Sequence, residues 1–354
     1  MRSKETSKKR PRKAAAAKAP VTGPVTLKQA RAIAATTAPS AAVRKAMPPP
    51  TPANVAIERQ RLAAEQERDR RDRIREYKAT LAVMKKRGVK GLGRKPGKTA
   101  SAPKAGALPL QVFAEGDSWF KYPIPFFGGG IIDRLEKRLG VPILNLAKAG
   151  DEVRFMLGVK EREHIREQLA NGCPAGGPWD AMLFSGGGND IVDNPMALWI
   201  REFDSALTPA QLVHQPRFDA ALALVRAGYE DLIALRDALS PTTHLFFHGY
   251  DFAIADGRGV CGMGPWLKPT FDLHHFPGLA RRTGVMEVLL QQFAAMLQAV
   301  AQGRPKVTVI NTQGTLSPQA SSWHNELHPS KAGFNAFAAL FQAELKAVFP
   351  GKVL

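Results

Sequence analysis

The chain has 354 residues, a formal net charge of +19 and two cysteines. Cys173 and Cys261 are too few and too far apart for a disulfide framework or a thiolate zinc site. The charge is also lodged at one end: residues 1–105 hold 28 Lys/Arg against 7 Asp/Glu, and residues 106–354 hold 22 against 24, which excludes a polyanion-binding surface spread over the whole chain.

Residues 1–52 are Ala, Pro, Lys and Thr in no periodic pattern. Such a segment buries too little apolar surface to offset its ordering entropy, which predicts a disordered basic tail. Residues 53–87 are free of Gly and Pro, but Ile57, Leu62, Ile74, Leu81 and Met84 give only a thin apolar stripe. That pattern predicts a charged helix, solvated or dependent on a partner. Residues 88–108, rich in Gly, Lys and Pro, read as a linker. The basic arm over 1–105 suits an anionic partner such as a polymer, a membrane surface or an acidic protein, and suits a solubilising extension equally well. No transmembrane segment is expected. The basic start lacks the apolar core of a signal peptide, so the expected location is cytoplasmic, or outside by a route without a classical signal peptide.

From residue 109 to 354 the pattern becomes strand, loop, helix, repeated, as in one α/β domain. Strands are predicted at Leu110–Glu115, Val141–Leu146, Trp179–Phe184, Thr243–Phe247 and Lys306–Ile310. Helices are predicted at Ile131–Leu139 and over roughly 152–170, 216–239, 285–302 and 330–347. Strands that alternate with helices argue for a five-stranded parallel sheet covered on both faces.

The first strand ends abruptly in Gly116-Asp117-Ser118. Glycine allows a tight turn there, and such a turn can lift the serine hydroxyl clear of the sheet. Alone, the tripeptide is an ordinary turn sequence. Three further features stand in later post-strand loops: Gly150, Asn189 after three glycines, and His328. Loops at the carboxyl ends of parallel strands converge on one crevice, so the four residues can meet there.

In this order, Gly116-Asp-Ser118-Trp, Gly150, Gly187-Gly-Asn189-Asp190 and Asn325-Glu-Leu-His328-Pro329 resemble the blocks of the SGNH (GDSL-type) hydrolases over about residues 110–350. The resemblance implies a flavodoxin-like three-layer α/β/α sandwich and a serine hydrolase acting on carboxylic esters or thioesters. Ser118 would be the nucleophile and His328 its general base. The oxyanion hole would be formed by the backbone N–H groups of Ser118 and Gly150 with the Asn189 amide. It implies no metal and no organic cofactor, and an ester substrate that is a small molecule, a lipid or a carbohydrate. No Gly-x-Ser-x-Gly elbow is present, so the ordinary α/β-hydrolase reading fails.

One position departs from the family pattern. The aspartate usually three residues before the histidine is Asn325 here, with Glu326 beside it. Three arrangements follow: a Ser–His pair supported by Asn325, a triad completed by Glu326, or a weakened enzyme. Asp251 and His248, at the end of the fourth strand, are candidates for substrate contact or for a structural strand-end role. Trp119–Phe127 would wall a substrate pocket or pack on the core. The pair His274-His275 has no acidic or cysteine partner at ligand spacing. The alternative function is a catalytically weak SGNH-like binding or delivery protein that works through its basic arm.

Overall fold

The computed structural model describes residues 52–86, 109–122, 128–260 and 263–353. The predicted tail, the linker, Pro123–Phe127 and Cys261 lie outside the described residues. The chain divides into two compact units, Met1–Leu62 and Ala63–Leu354. The second carries the sheet.

Five parallel strands form that sheet: β1 (Val112–Gly116), β2 (Ile143–Asn145), β3 (Ala181–Ser185), β4 (His244–His248) and β5 (Val307–Ile310). Their order is β2-β1-β3-β4-β5, the flavodoxin-like order, and the chain reverses direction across the sheet between β1 and β3. β1 and β3 are buried along their whole length, as central strands covered on both faces must be. The register places Gly116 beside Ser185, and a Cβ at 116 would stand 2.6 Å from the Ser185 carbonyl oxygen. Only glycine lets β1 end that close to β3.

Two helical layers enclose the sheet. On one side Ile131–Leu139 (α2) packs against the last long helix, Lys331–Val348 (α9). On the other, Gln215–Leu239 (α6) is the hub, touching Val153–Met156 (α3), Val159–Asn171 (α4) and Leu279–Ala301 (α8). The single helix expected over 152–170 is therefore two, broken at Leu157-Gly158. The helix expected from 285 begins at Leu279. By length and composition α8 would suffice to cross a membrane, contrary to the expectation that no stretch would. In the fold it is a core helix, with Val285, Met286, Leu289, Phe293 and Leu297 buried.

Helix α1 spans Pro52–Lys86, close to the predicted bounds, and from residue 64 onward most of its described side chains are exposed while a few are buried. Arg70, Tyr77 and Leu81 are buried. The Tyr77 ring lies 5.7 Å from that of Trp179, and its hydroxyl meets the sulfur of Cys173. Arg73 donates to the main-chain oxygens of Asn145 and Ala147, at the end of the edge strand β2. The partner such a helix needed is the protein's own sheet edge, which otherwise presents unpaired main-chain groups.

Candidate active site

Ser118 stands in the turn after β1, and that turn is set by Asp117. The Asp117 main-chain oxygen accepts from Phe120 and Lys121 N–H, while its carboxylate accepts from Trp119 N–H at 2.9 Å. The same carboxylate accepts from Ser185 Oγ at 2.9 Å and from the Tyr250 hydroxyl at 2.5 Å. Burial pushes the Asp117 carboxyl up to about 6, against the pull of these three donors.

The network extends further. Ser185 spends its proton on Asp117, so His248 Nε2, 2.8 Å away, must donate to Ser185. Its other nitrogen, Nδ1, accepts Tyr250 N–H. Full burial holds His248 neutral, down to about 3. The Tyr250 hydroxyl also accepts Gly188 N–H, which ties the nucleophile turn to the segment carrying Asn189. Asp117, Ser185, His248 and Tyr250 thus frame the site from below. Ser185 and Tyr250 were not singled out from the sequence, and the only signal for them was their place at strand ends.

His328 reaches the serine from the loop before α9, where Ser330 caps the helix by accepting Gly333 N–H. Its Nε2 lies 2.6 Å from Ser118 Oγ, and its Nδ1 lies 3.0 Å from Asn325 Oδ1. Asn325 is fully buried and its orientation is forced: Oδ1 accepts the N–H groups of Leu327 and His328, and Nδ2 donates to the Tyr122 hydroxyl. An oxygen facing Nδ1 requires the imidazole proton on Nδ1, which leaves the Nε2 lone pair for the serine proton. Tyr122 stacks on the His328 ring at 4.5 Å, and Trp119 Nε1 donates to the Leu327 oxygen, joining the two loops. Burial lowers His328 to about 3, with no carboxylate alongside to raise it.

Glu326 does not complete a triad. Its buried carboxylate accepts four N–H groups, from Gly257, Trp266, Leu267 and Lys268. It is the clamp of the long loop that brings the Trp266 ring within 5.9 Å of His328. Asp251 is likewise occupied, accepting from Phe252, Gly314 and Leu316 N–H. It borders the cleft as a loop anchor, which leaves no free carboxylate oxygen facing substrate.

Ser118, Asn189 and His328 line one small cleft, open to solvent, whose other walls include Trp119, Val192, Ala253, Met286, Leu290 and Leu327. Asn189 Nδ2 donates to the Asp151 oxygen at 2.8 Å. Gly150 is exposed in the turn just before, at a left-handed φ of 82°, and does not line the cleft. Of the aromatic run, Trp119 walls the cleft, while Phe120 is buried against His248 and Phe341. His274 and His275 both meet Glu202, from a distant segment. Among the described residues no group of three His, Cys, Asp or Glu could hold a metal ion.

Comparison with known proteins agrees with this architecture. The model of the GDSL-like lipase/acylhydrolase family matches residues 124–336, more than half of the chain, beginning just after Ser118. The chain belongs to that family and is a hydrolase acting on ester bonds. Among solved structures it is similar to an extracellular lipase from Streptomyces rimosus (14% identity, 66% of this chain and 99% of that one, TM-score 0.42). It is also similar to phospholipase A1 from Streptomyces albidoflavus (14%, 66% and 99%, 0.41) and to a family 3 carbohydrate esterase from Clostridium thermocellum (14%, 70% and 100%, 0.39). No curated protein matches the sequence.

Proposed function

We propose that the protein cleaves carboxylic esters through an acyl-serine intermediate, with Ser118 as nucleophile, His328 as general base and Asn325 as the residue that orients it. One observation carries this reading: the relay Ser118 Oγ to His328 Nε2 at 2.6 Å and His328 Nδ1 to Asn325 Oδ1 at 3.0 Å. Ser118 Oγ attacks the carbonyl carbon while its proton passes to Nε2. The tetrahedral oxyanion then collapses, the C–O bond to the alcohol breaks, and the alcohol leaves with that proton. Water, deprotonated by the same nitrogen, releases the acid.

The oxyanion would be met by the N–H group of Ser118 and by the Asn189 amide, whereas Gly150 stands outside the cleft lining. The place of Asn189 in the cleft lining supports its part. Apolar walls from Val192, Ala253, Met286, Leu290 and Leu327 suit an acyl chain.

The test is hydrolysis of p-nitrophenyl esters of increasing chain length by the full chain, with Ser118→Ala alongside. Labelling of Ser118 by a fluorophosphonate is followed by mass spectrometry. Turnover lost in Ser118→Ala, together with a label on Ser118, is the expected result. Turnover that persists in Ser118→Ala overturns the assignment.

A further inference from the structure

The proposed oxyanion side of the cleft hangs on one short loop. After β2, Leu146 N–H donates to Ala114 O and Lys148 N–H to Gly116 O, which lays the loop along the end of β1. Asp151 N–H then closes a turn on Lys148 O, with Gly150 inside it. The Asp151 oxygen in turn holds the Asn189 amide. The Asn189 amide, whose main chain is tied to Tyr250 through Gly188 N–H, therefore takes its side-chain orientation from residues 145–151.

That loop is gripped from outside by α1. The Arg73 guanidinium donates to the oxygens of Asn145 and Ala147, the latter at 3.1 Å. One turn earlier, Arg70 is 4% exposed and sets Nη2 3.9 Å from Glu115 Oε2, on a carboxylate that is fully buried two residues before Asp117. Glu67 joins the same cluster, meeting Arg70 and His164 of α4. Both bonds come from one terminal nitrogen, Nη1, while Nη2 of the same guanidinium pairs with Asp69 one turn back on α1 and holds the side chain in place.

We infer that Arg73 is a positioning residue for catalysis: by fixing the carbonyls of Asn145 and Ala147 it holds the Gly150 turn, and through Asp151 the Asn189 amide, where an oxyanion forms. The inference rests on the proposed oxyanion hole. It makes α1 from residue 63 onward a working part of the hydrolase, where the sequence suggested a separate arm. Displacement of a catalytic group by about 1 Å can cost ~10²-fold in rate.

The experiment compares full-length wild type, Arg73→Met, Arg73→Lys and Ser118→Ala on a p-nitrophenyl ester. Rates of wild type and the Arg73 variants are expressed per active site titrated by fluorophosphonate, that of Ser118→Ala per mole of protein, and binding of an alkyl boronic acid, which mimics the tetrahedral species, is measured in parallel. Expected for Arg73→Met are a kcat per titrated site ~10–100-fold lower, KM changed by less than about threefold, and boronate affinity lowered by a similar factor to kcat. Arg73→Lys should recover part of both. Unchanged kcat per titrated site and unchanged boronate affinity in Arg73→Met overturn the inference, since a merely structural role would remove folded molecules without altering those that remain. Loss of KM alone overturns it as well. Activity that survives in Ser118→Ala would instead remove the underlying site assignment, whatever Arg73 does.

Discussion

His328 and Asn189 line the same cleft, yet they are held by different parts of the chain. The base is fixed within a few residues of itself: Asn325, Leu327 and His328 share one acceptor oxygen, and Tyr122 and Trp119 close the arrangement from the nucleophile turn. Asn189 has its main chain tied through Gly188 to Tyr250, but its side chain is held at a distance, through Asp151, the loop after β2 and finally Arg73 of α1. Short-range fixing depends on a local motif and is robust to changes elsewhere. Long-range fixing, on the inferred role of Arg73, would make the rate depend on a helix that touches no substrate.

The sharpest way to separate the two halves is by substitution. Removing the nucleophile with Ser118→Ala should lower kcat by ~10⁴-fold or more, measured as initial ester hydrolysis, because neither half can act without it. Asn325→Ala should cost ~10²–10⁴-fold in kcat/KM, by releasing the imidazole from its tautomer and orientation. That variant also strands the Leu327 and His328 N–H groups, and thermal unfolding should report a stability loss of ~1–3 kcal/mol. Asn189→Ala should cost ~10²–10³-fold in kcat, with a Tm loss no larger than that of its one bond to the Asp151 oxygen, ~1 kcal/mol, if its main part is as a donor to the oxyanion. A Tm loss matching the rate loss would argue that Asn189 works mainly as a tie to Asp151.

The smallest effect is a pH shift. Burial keeps the free-enzyme His328 at about 3, far below its ordinary 6.5, so the imidazole is neutral through the mildly acidic range and the acid limb of kcat/KM should fall below about pH 5. Asn325→Asp places a negative charge on Nδ1, which raises the imidazole pKa and should move that limb upward, read from kcat/KM between pH 4 and 8. A limb that stays in place would mean that Asn325 does not govern the ionisation of the base.

What the sequence revealed follows from the same contrast. The order of strands and the meeting of Ser118 with His328 were legible because they are written locally, in short blocks after apolar runs. The three arrangements around Asn325 stayed open in the sequence because the four N–H groups that occupy Glu326 come from residues 257–268, which no local pattern connects to it. The docking of α1 was hidden for a related reason. Apolar periodicity finds helices that bury aliphatic stripes, and this one is anchored by Arg70, Arg73 and Tyr77, whose polar ends do the holding. The frame of Asp117, Ser185, His248 and Tyr250 gathers residues from three strand ends, and no spacing within one segment could announce it.

The asparagine beside His328 has a consequence for the collapse of the first tetrahedral species in the proposed reaction. An imidazolium without a carboxylate neighbour is reluctant to form, but once formed it is a stronger acid and gives its proton away more readily. On the proposed mechanism the step that gains is departure of the alcohol, which needs that proton most when the alkoxide is a poor leaving group. Compared with Asn325→Asp, the native enzyme should then discriminate less between activated aryl esters and simple alkyl esters, which makes the choice of alcohol a property of the residue behind the base.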